Sequence, residues 1–195
     1  MAIITVATVT IQGLSPMTHS HQHSEPKLEG ESFDAYDKRT WRSKLNVEDG
    51  HIVIPAFGMH MSLVSAAKYT KRKIVGQGNA TWTAKFSAGV MLMAAPRLDT
   101  PLDAVIQIPL SVHTDGVRGS GKRVIKNFPQ IPPGWKSTFE VTILDPIITL
   151  EIFREMLDTA GIFVGLGQFR PENTGNNGRF KVLDIKWLDN RQLVS

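Results

Sequence analysis

Between residues 138 and 188 the hydrophobic period of the chain changes from two to about 3.6 and back to two, with a glycine-rich stretch before the second change. Residues 138–144 alternate as a strand. Asp145-Pro146 supplies an N-cap and a proline for the first helical position. Ile152, Phe153, Met156, Leu157 and Ala160 then recur on one helical face that ends near Gly161. The stretch 165–178 leads into a final strand over 180–188. A strand, a helix and a strand in this order make a layered unit, because the apolar face of each must be covered by another element.

The first half of the chain supplies comparable elements. Ile3, Thr5, Ala7, Val9 and Ile11 alternate with Ile4, Val6, Thr8 and Thr10 up to Gly13, which predicts an opening strand. Beyond Pro55, the residues Phe57, Met61, Val64 and Ala67 follow helical spacing toward the cations between Lys68 and Lys73, so a helix is expected over 57–71. Two further strands are expected over 81–93 and 102–112, separated by Pro96 and Pro101. Residues 115–136, rich in Gly, Pro and basic side chains, read as a long loop or a hairpin arm. Together these elements give an α+β fold, a ferredoxin-like (RRM-like) β-α-β-β-α-β core in one domain over 1–195, with two long insertions at about 13–54 and 73–136.

Composition narrows the function. The 195 residues contain no Cys, which excludes a disulfide framework, a thiolate zinc site and a cysteine nucleophile, and fits a cytoplasmic protein. No apolar run approaches the roughly 20 residues that span a bilayer, and the first residues lack a basic n-region, so no membrane association is expected. The net charge of +4 is modest, but its distribution is not uniform. Lys68, Lys71, Arg72 and Lys73 have no intervening acid, and Arg118, Lys122, Arg123, Lys126 and Lys136 face only Asp115. Beside Phe128 and Trp135, such an arm suits a phosphate backbone with a ring free to stack on a base; a solvated basic loop is the alternative. A second basic-aromatic knot, Arg39, Trp41, Arg42 and Lys44, lies in a stretch, 25–51, that carries seven Asp or Glu against five Lys or Arg. That stretch is suited to docking on the basic arm of a neighbouring copy.

The segment Ile162-Phe163-Val164-Gly165-Leu166-Gly167-Gln168-Phe169-Arg170, running on to Gly175, Gly178, Arg179 and Phe180, resembles the glycine-rich loop of the RAMP superfamily. Ile52-Val53-Ile54-Pro55 before a helix is similar to the corresponding element of CRISPR backbone subunits. The resemblance covers the two core halves and not the insertions, and residues 171–178 depart from a compact loop. It implies a subunit that binds single-stranded RNA, in preference to single-stranded DNA, through the backbone and without sequence specificity. It also implies a homo-oligomer along a guide RNA and contact with other subunits of a ribonucleoprotein complex; a phage-encoded relative would look the same. The implied contacts are Gly165, Gly167, Arg170, Gly175, Gly178 and Arg179, helped by Lys71, Arg72 and Lys73 and by Arg118, Lys122, Arg123, Lys126 and Trp135 of the arm. Glycine lets the backbone approach phosphate without a Cβ, and arginine supplies charge-assisted donors.

Chemistry beyond binding has few candidates. His19, His21 and His23 have a spacing that would align three imidazoles on one side of an extended segment, where Zn or Ni could sit. Without Cys or a placed fourth ligand, no metal is expected. The same residues, or His51, His60 and His113, could instead serve a RAMP-like endoribonuclease as a general base, so catalysis stays open while binding is preferred. Residues 116–122 match the start of a P-loop, but Arg123 stands where a magnesium-ligating Ser or Thr belongs, and Gly165-x-Gly167 has Arg170 where a dinucleotide fingerprint needs a third glycine. No cofactor is expected. A phage single-stranded DNA-binding or annealing protein is the further alternative.

Overall fold

In the computed structural model, which describes residues 4–114 and 121–191 and side chains through residue 188, the first strand, β1, spans Ile4–Gly13. A two-residue strand β2 (Met17–Thr18) follows, then an extended segment, helix α1 (Phe33–Thr40), a single 3-10 turn (Trp41–Lys44) and the small pair β3 (Val47–Glu48) and β4 (His51–Ile52). Helix α2 (Ala56–Thr70) precedes a second helix, α3 (Trp82–Gly89), which runs directly into β5 (Val90–Met91). Strands β6 (Ile106–His113) and β7 (Arg123–Ile131) form a long hairpin, after which come β8 (Lys136–Ile143), α4 (Leu150–Thr159), a π-helical turn (Ala160–Val164) and β9 (Phe180–Arg191). The molecule is thus mixed α/β with antiparallel sheets.

The larger sheet has the order β5-β8-β1-β9. Alternation along β1 puts Ala7, Val9 and Ile11, none with any exposure, against the helices, and leaves Thr8 and Thr10 on the other face, where Thr10 and Thr138 share a hydrogen bond of 3.0 Å. In β9 the pairing with β1 slips between Asp184 and Val182, so the exposed Leu183 is an extra residue and Ile185 and Trp187 keep packing inward. Phe153 of α4 meets Trp187 with ring centroids 5.7 Å apart. The second sheet, β2-β7-β6, holds the base of the hairpin against the chain just beyond β1. Among the described residues no helix is long and apolar enough to cross a membrane.

Three expectations are corrected. The strand expected over 81–93 is mostly α3, because Trp82, Phe86 and Gly89 are buried at i, i+4 and i+7; only Val90 and Met91 pair with β8. Helix α2 lies where expected but buries Met59, Leu63, Ala66 and Ala67, while Phe57 and Met61 face outward. Both sets satisfy helical spacing, and contact with the sheet and α3 selects one. Helix α4 starts later than expected: Thr149 is its N-cap, accepting from Ile152 N–H, whereas the Asp145 carboxylate accepts from Ile147 N–H and pairs with Lys85 at 2.9 Å.

Candidate nucleic-acid interface

The glycine-rich segment is packed, and its glycines are structural. Gly165, Gly167 and Gly178 all have φ near +70 to +80°, and a Cβ on Gly167, Gly175 or Gly178 would collide with the backbone of Thr18, Phe169 or Leu166 respectively. The N–H groups of Gly165, Gly175 and Gly178 donate to the carbonyls of Ala160, Arg170 and Pro16 at 2.7, 3.0 and 2.7 Å. These three donors are engaged within the chain, so the role of phosphate cradle expected from their freedom does not follow from their geometry. What the loop does is present Gln168, Phe169 and Arg170 beside β2: Gln168 N–H donates to Thr18 C=O at 2.7 Å, and Asn177 Nδ2 donates to Thr18 Oγ1 at 2.8 Å.

Two of the clefts on this side of the molecule meet the glycine loop at Gln168. The larger, of about 670 Å³, lies between the hairpin, the segment 20–23, α1 and the glycine loop; its walls include His21, His23, Tyr36, Arg123, Lys126 and Phe169. The smaller, of about 300 Å³, is bounded by His19, Asn46, the start of α2 at Pro55 and Gly58, and Leu166, Gly167 and Arg170. Both are lined by Ser20, His21, Gln22 and Gln168, so the two clefts adjoin along this segment and together make the groove considered below.

A half-buried polar lock holds the hairpin beside α1. Asp37 Oδ1 accepts from Lys44 Nζ at 2.5 Å, its Oδ2 accepts from the backbone N–H and Nδ2 of Asn127 at 2.6 and 2.8 Å, and Lys44 Nζ also donates to Asn127 C=O at 2.7 Å. Burial alone would raise the Asp37 pKa, but the hydrogen bonds from Lys44 and Asn127 outweigh it and hold the carboxyl below its ordinary value. Its stabilising contribution is therefore present above the unfolded carboxylate pKa and is lost as pH falls through the lower folded value. Asp37→Ala is expected to cost about 3 kcal/mol at neutral pH by stranding Lys44 and Asn127. Chemical denaturation of the two proteins at pH 7 and pH 3 checks this: the difference should shrink in acid, and a constant difference would remove the lock from the account.

The predicted residues divide into groups. Arg123 and Lys126 line the larger cleft, with Lys122 just beyond at the hairpin end, while Arg118 lies outside the described residues. Arg170 lines the smaller cleft and is ion-paired with Glu172 at 2.6 Å. Arg179 lines neither; its guanidinium donates to Ile162 C=O and its backbone N–H to Ser15 Oγ at 2.9 Å, which ties the loop end to β1. Lys71, Arg72 and Lys73 sit at the far end of α2, about 20 Å along the helix axis from the groove. There Arg72 pairs with Glu155 and Lys73 Nζ donates to Asn79 Oδ1 at 2.9 Å.

Trp135 is not a stacking platform: it is 2% exposed, packs in the main core near Phe180 and donates from Nε1 to Ser15 C=O at 3.1 Å. Phe128 is only 7% exposed, held edge-on by Phe169 and under the Lys44 ammonium. The three histidines do not share a side either. His19 is buried, its Nδ1 accepting from Asn46 N–H at 3.3 Å, whereas His21 and His23 line the larger cleft. Among the described residues no group of three side chains is placed to hold a metal ion. The knot around Arg39 is internally neutralised: Arg39 pairs with Glu31 at 2.9 Å, and that hydrogen bond, aided by Leu28 N–H, holds Glu31 down to about 2. Sequence reading assigned no role to Tyr36 and Asn46, which carry no motif, or to Gln168 and Phe169, which lie inside the glycine-rich segment; tertiary packing brings all four to the groove.

No family model matches the chain, and no curated protein matches it. Among solved structures, a chain of "Cryo-EM structure of the Type III-B Cmr-beta bound to cognate target RNA" superposes with a TM-score of 0.51 at 16% identity, over 95% of this chain and 61% of that one. This chain therefore corresponds to less than two thirds of that neighbour's length. "Crystal structure of Cmr6 from Pyrococcus furiosus" superposes with a TM-score of 0.48 at 11% identity, over 92% of this chain and 99% of that one. The first of these likenesses establishes a shared fold: the chain has the architecture of a protein chain in a Type III-B Cmr assembly.

Proposed function

We propose that this chain is a RAMP-type subunit of a CRISPR-type effector ribonucleoprotein, holding single-stranded RNA by its backbone and repeating head-to-tail along the strand. The order β5-β8-β1-β9, with α2 between β1 and β5 and α4 between β8 and β9, matches a ferredoxin-like core. The hairpin and the segment before α2 are then its insertions. The observation that carries the reading is the groove made by the two adjoining clefts, from the hairpin to the start of α2. It combines Arg123, Lys126, His21 and His23 with Tyr36 and Phe169, and the one carboxylate among the described residues of its lining, Asp37, is already bonded to Lys44 and Asn127. Cations along a groove supply sequence-independent attraction for phosphates, and exposed ring edges supply contact for bases. The neighbour of shared fold comes from an assembly bound to target RNA, which supports RNA as the ligand.

The test is a salt titration of affinity for matched single-stranded RNA and DNA, wild type against Arg123→Ala/Lys126→Ala. Each lost phosphate contact lowers the slope of log affinity against log salt by about 0.7, so the double variant should lose about 1.4 in slope. On longer RNA the bound mass should rise in steps of one chain. Absence of binding to both strands at low salt, or an unchanged slope, would remove the groove as the RNA site.

A further inference from the structure

The smaller cleft differs from the rest of the groove in which of its polar groups are free. Arg170 is engaged by Glu172 at 2.6 and 3.0 Å, and the backbone N–H of Gln168 donates to Thr18 C=O at 2.7 Å. The donors that a phosphate would need are largely occupied. By contrast, the carboxamides of Asn46 and Gln168 and the Nε2 of His19 bond to no other group among the described residues. Because His19 Nδ1 accepts from Asn46 N–H, the neutral ring carries its proton on Nε2, a donor whose position is fixed by burial. Burial, with a smaller contribution from His21, lowers the His19 pKa to about 4, so this tautomer persists at neutral pH. Met17, Ile54, Pro55 and Leu166 supply apolar wall, and Ser20, His21 and Gln22 complete the lining on the side shared with the larger cleft.

Apolar walls with a few convergent, unpaired amide and imidazole groups are what a planar heterocycle with donors and acceptors on its edge requires. We propose that this cleft receives one unpaired nucleobase of the bound strand, with a carbonyl of its edge on His19 Nε2 and the rest of the edge read by Asn46 and Gln168. The inference rests on the RNA-binding reading above. It adds a position at which the chain distinguishes bases: a fixed donor favours a base with a carbonyl beside the amides, uracil or guanine, over adenine.

The experiment measures affinity for RNA hexanucleotides that each carry a single abasic position, with the intact chain and with Asn46→Ala/Gln168→Ala. One position is expected at which base removal weakens binding roughly tenfold or more. In the double variant that sensitivity should disappear, so that the intact and the abasic oligonucleotide bind alike. Restoring adenine there should recover less affinity than restoring uracil. A flat profile with intact binding would overturn the base pocket and leave the RNA groove standing. No binding of the unmodified hexanucleotide would overturn both.

Discussion

Trp135→Ala should destabilise the protein by about 3–5 kcal/mol, the range for emptying a buried aromatic site. The indole is 2% exposed, sits 6.5 Å from the Phe180 ring between centroids and places Nε1 on Ser15 C=O. Space around it is committed: a Cβ on Gly13 would overlap the indole, so Gly13 can only be glycine while the tryptophan stays. Truncation opens a cavity beneath β1 and leaves Ser15 C=O without its donor, and the strand that joins β8 to β9 in the larger sheet loses its support. For a domain of this size the melting temperature should fall by on the order of 10 °C. Circular dichroism melts measure this, together with RNA affinity of the folded variant at low temperature, which should be close to wild type because the indole lines neither cleft. A variant that melts like wild type but fails to bind RNA would restore Trp135 to the interface and contradict its burial.

The second large effect is acid destabilisation through His19. Its pKa falls from 6.5 to about 4 in the folded protein, first because burial disfavours the cation and then because His21 lies nearby. Between these values the unfolded chain binds a proton that the folded chain refuses. Stability from this group is fully present above 6.5 and is lost progressively as pH falls toward 4, by on the order of 3 kcal/mol. Urea denaturation of wild type and His19→Gln across pH 7 to 4 separates this from other titrations: the wild type should lose stability more steeply over that interval. Equal slopes, or a His19 imidazole resonance that titrates at its ordinary pH, would show that the ring is solvated and its Nε2–H is not a fixed donor.

The two halves of the main sheet were legible because period-two and period-3.6 patterns are local. Ala7, Val9 and Ile11 had to share a face, and Ile152, Phe153, Met156 and Leu157 had to share another, whatever they packed against. The hairpin was legible in outline from the Gly, Pro and basic composition between two strand-like runs. Where a local pattern admitted two answers, tertiary contact chose. Residues 82–89 satisfied helical spacing as well as strand composition, and packing of Trp82 and Phe86 into the core made them a helix. Helix α2 could have turned Phe57 or Met59 inward, and the close approach of α3 favoured the face with Ala66 and Ala67.

The groove was legible least. Sequence alone determined that glycines would be concentrated at 165–178, that the hairpin would be basic and that three histidines would follow β1. Only the folded chain decided that the glycines serve close backbone packing, that Trp135 belongs to the core and that His19 is buried while His21 and His23 stand at the larger cleft. It also brought Asp37, Lys44 and Asn127 together from positions up to 90 residues apart. The physical reason is the range of the forces involved: backbone periodicity is set within a few residues, whereas burial, ion pairing and the emptiness of a cleft depend on which distant surfaces meet.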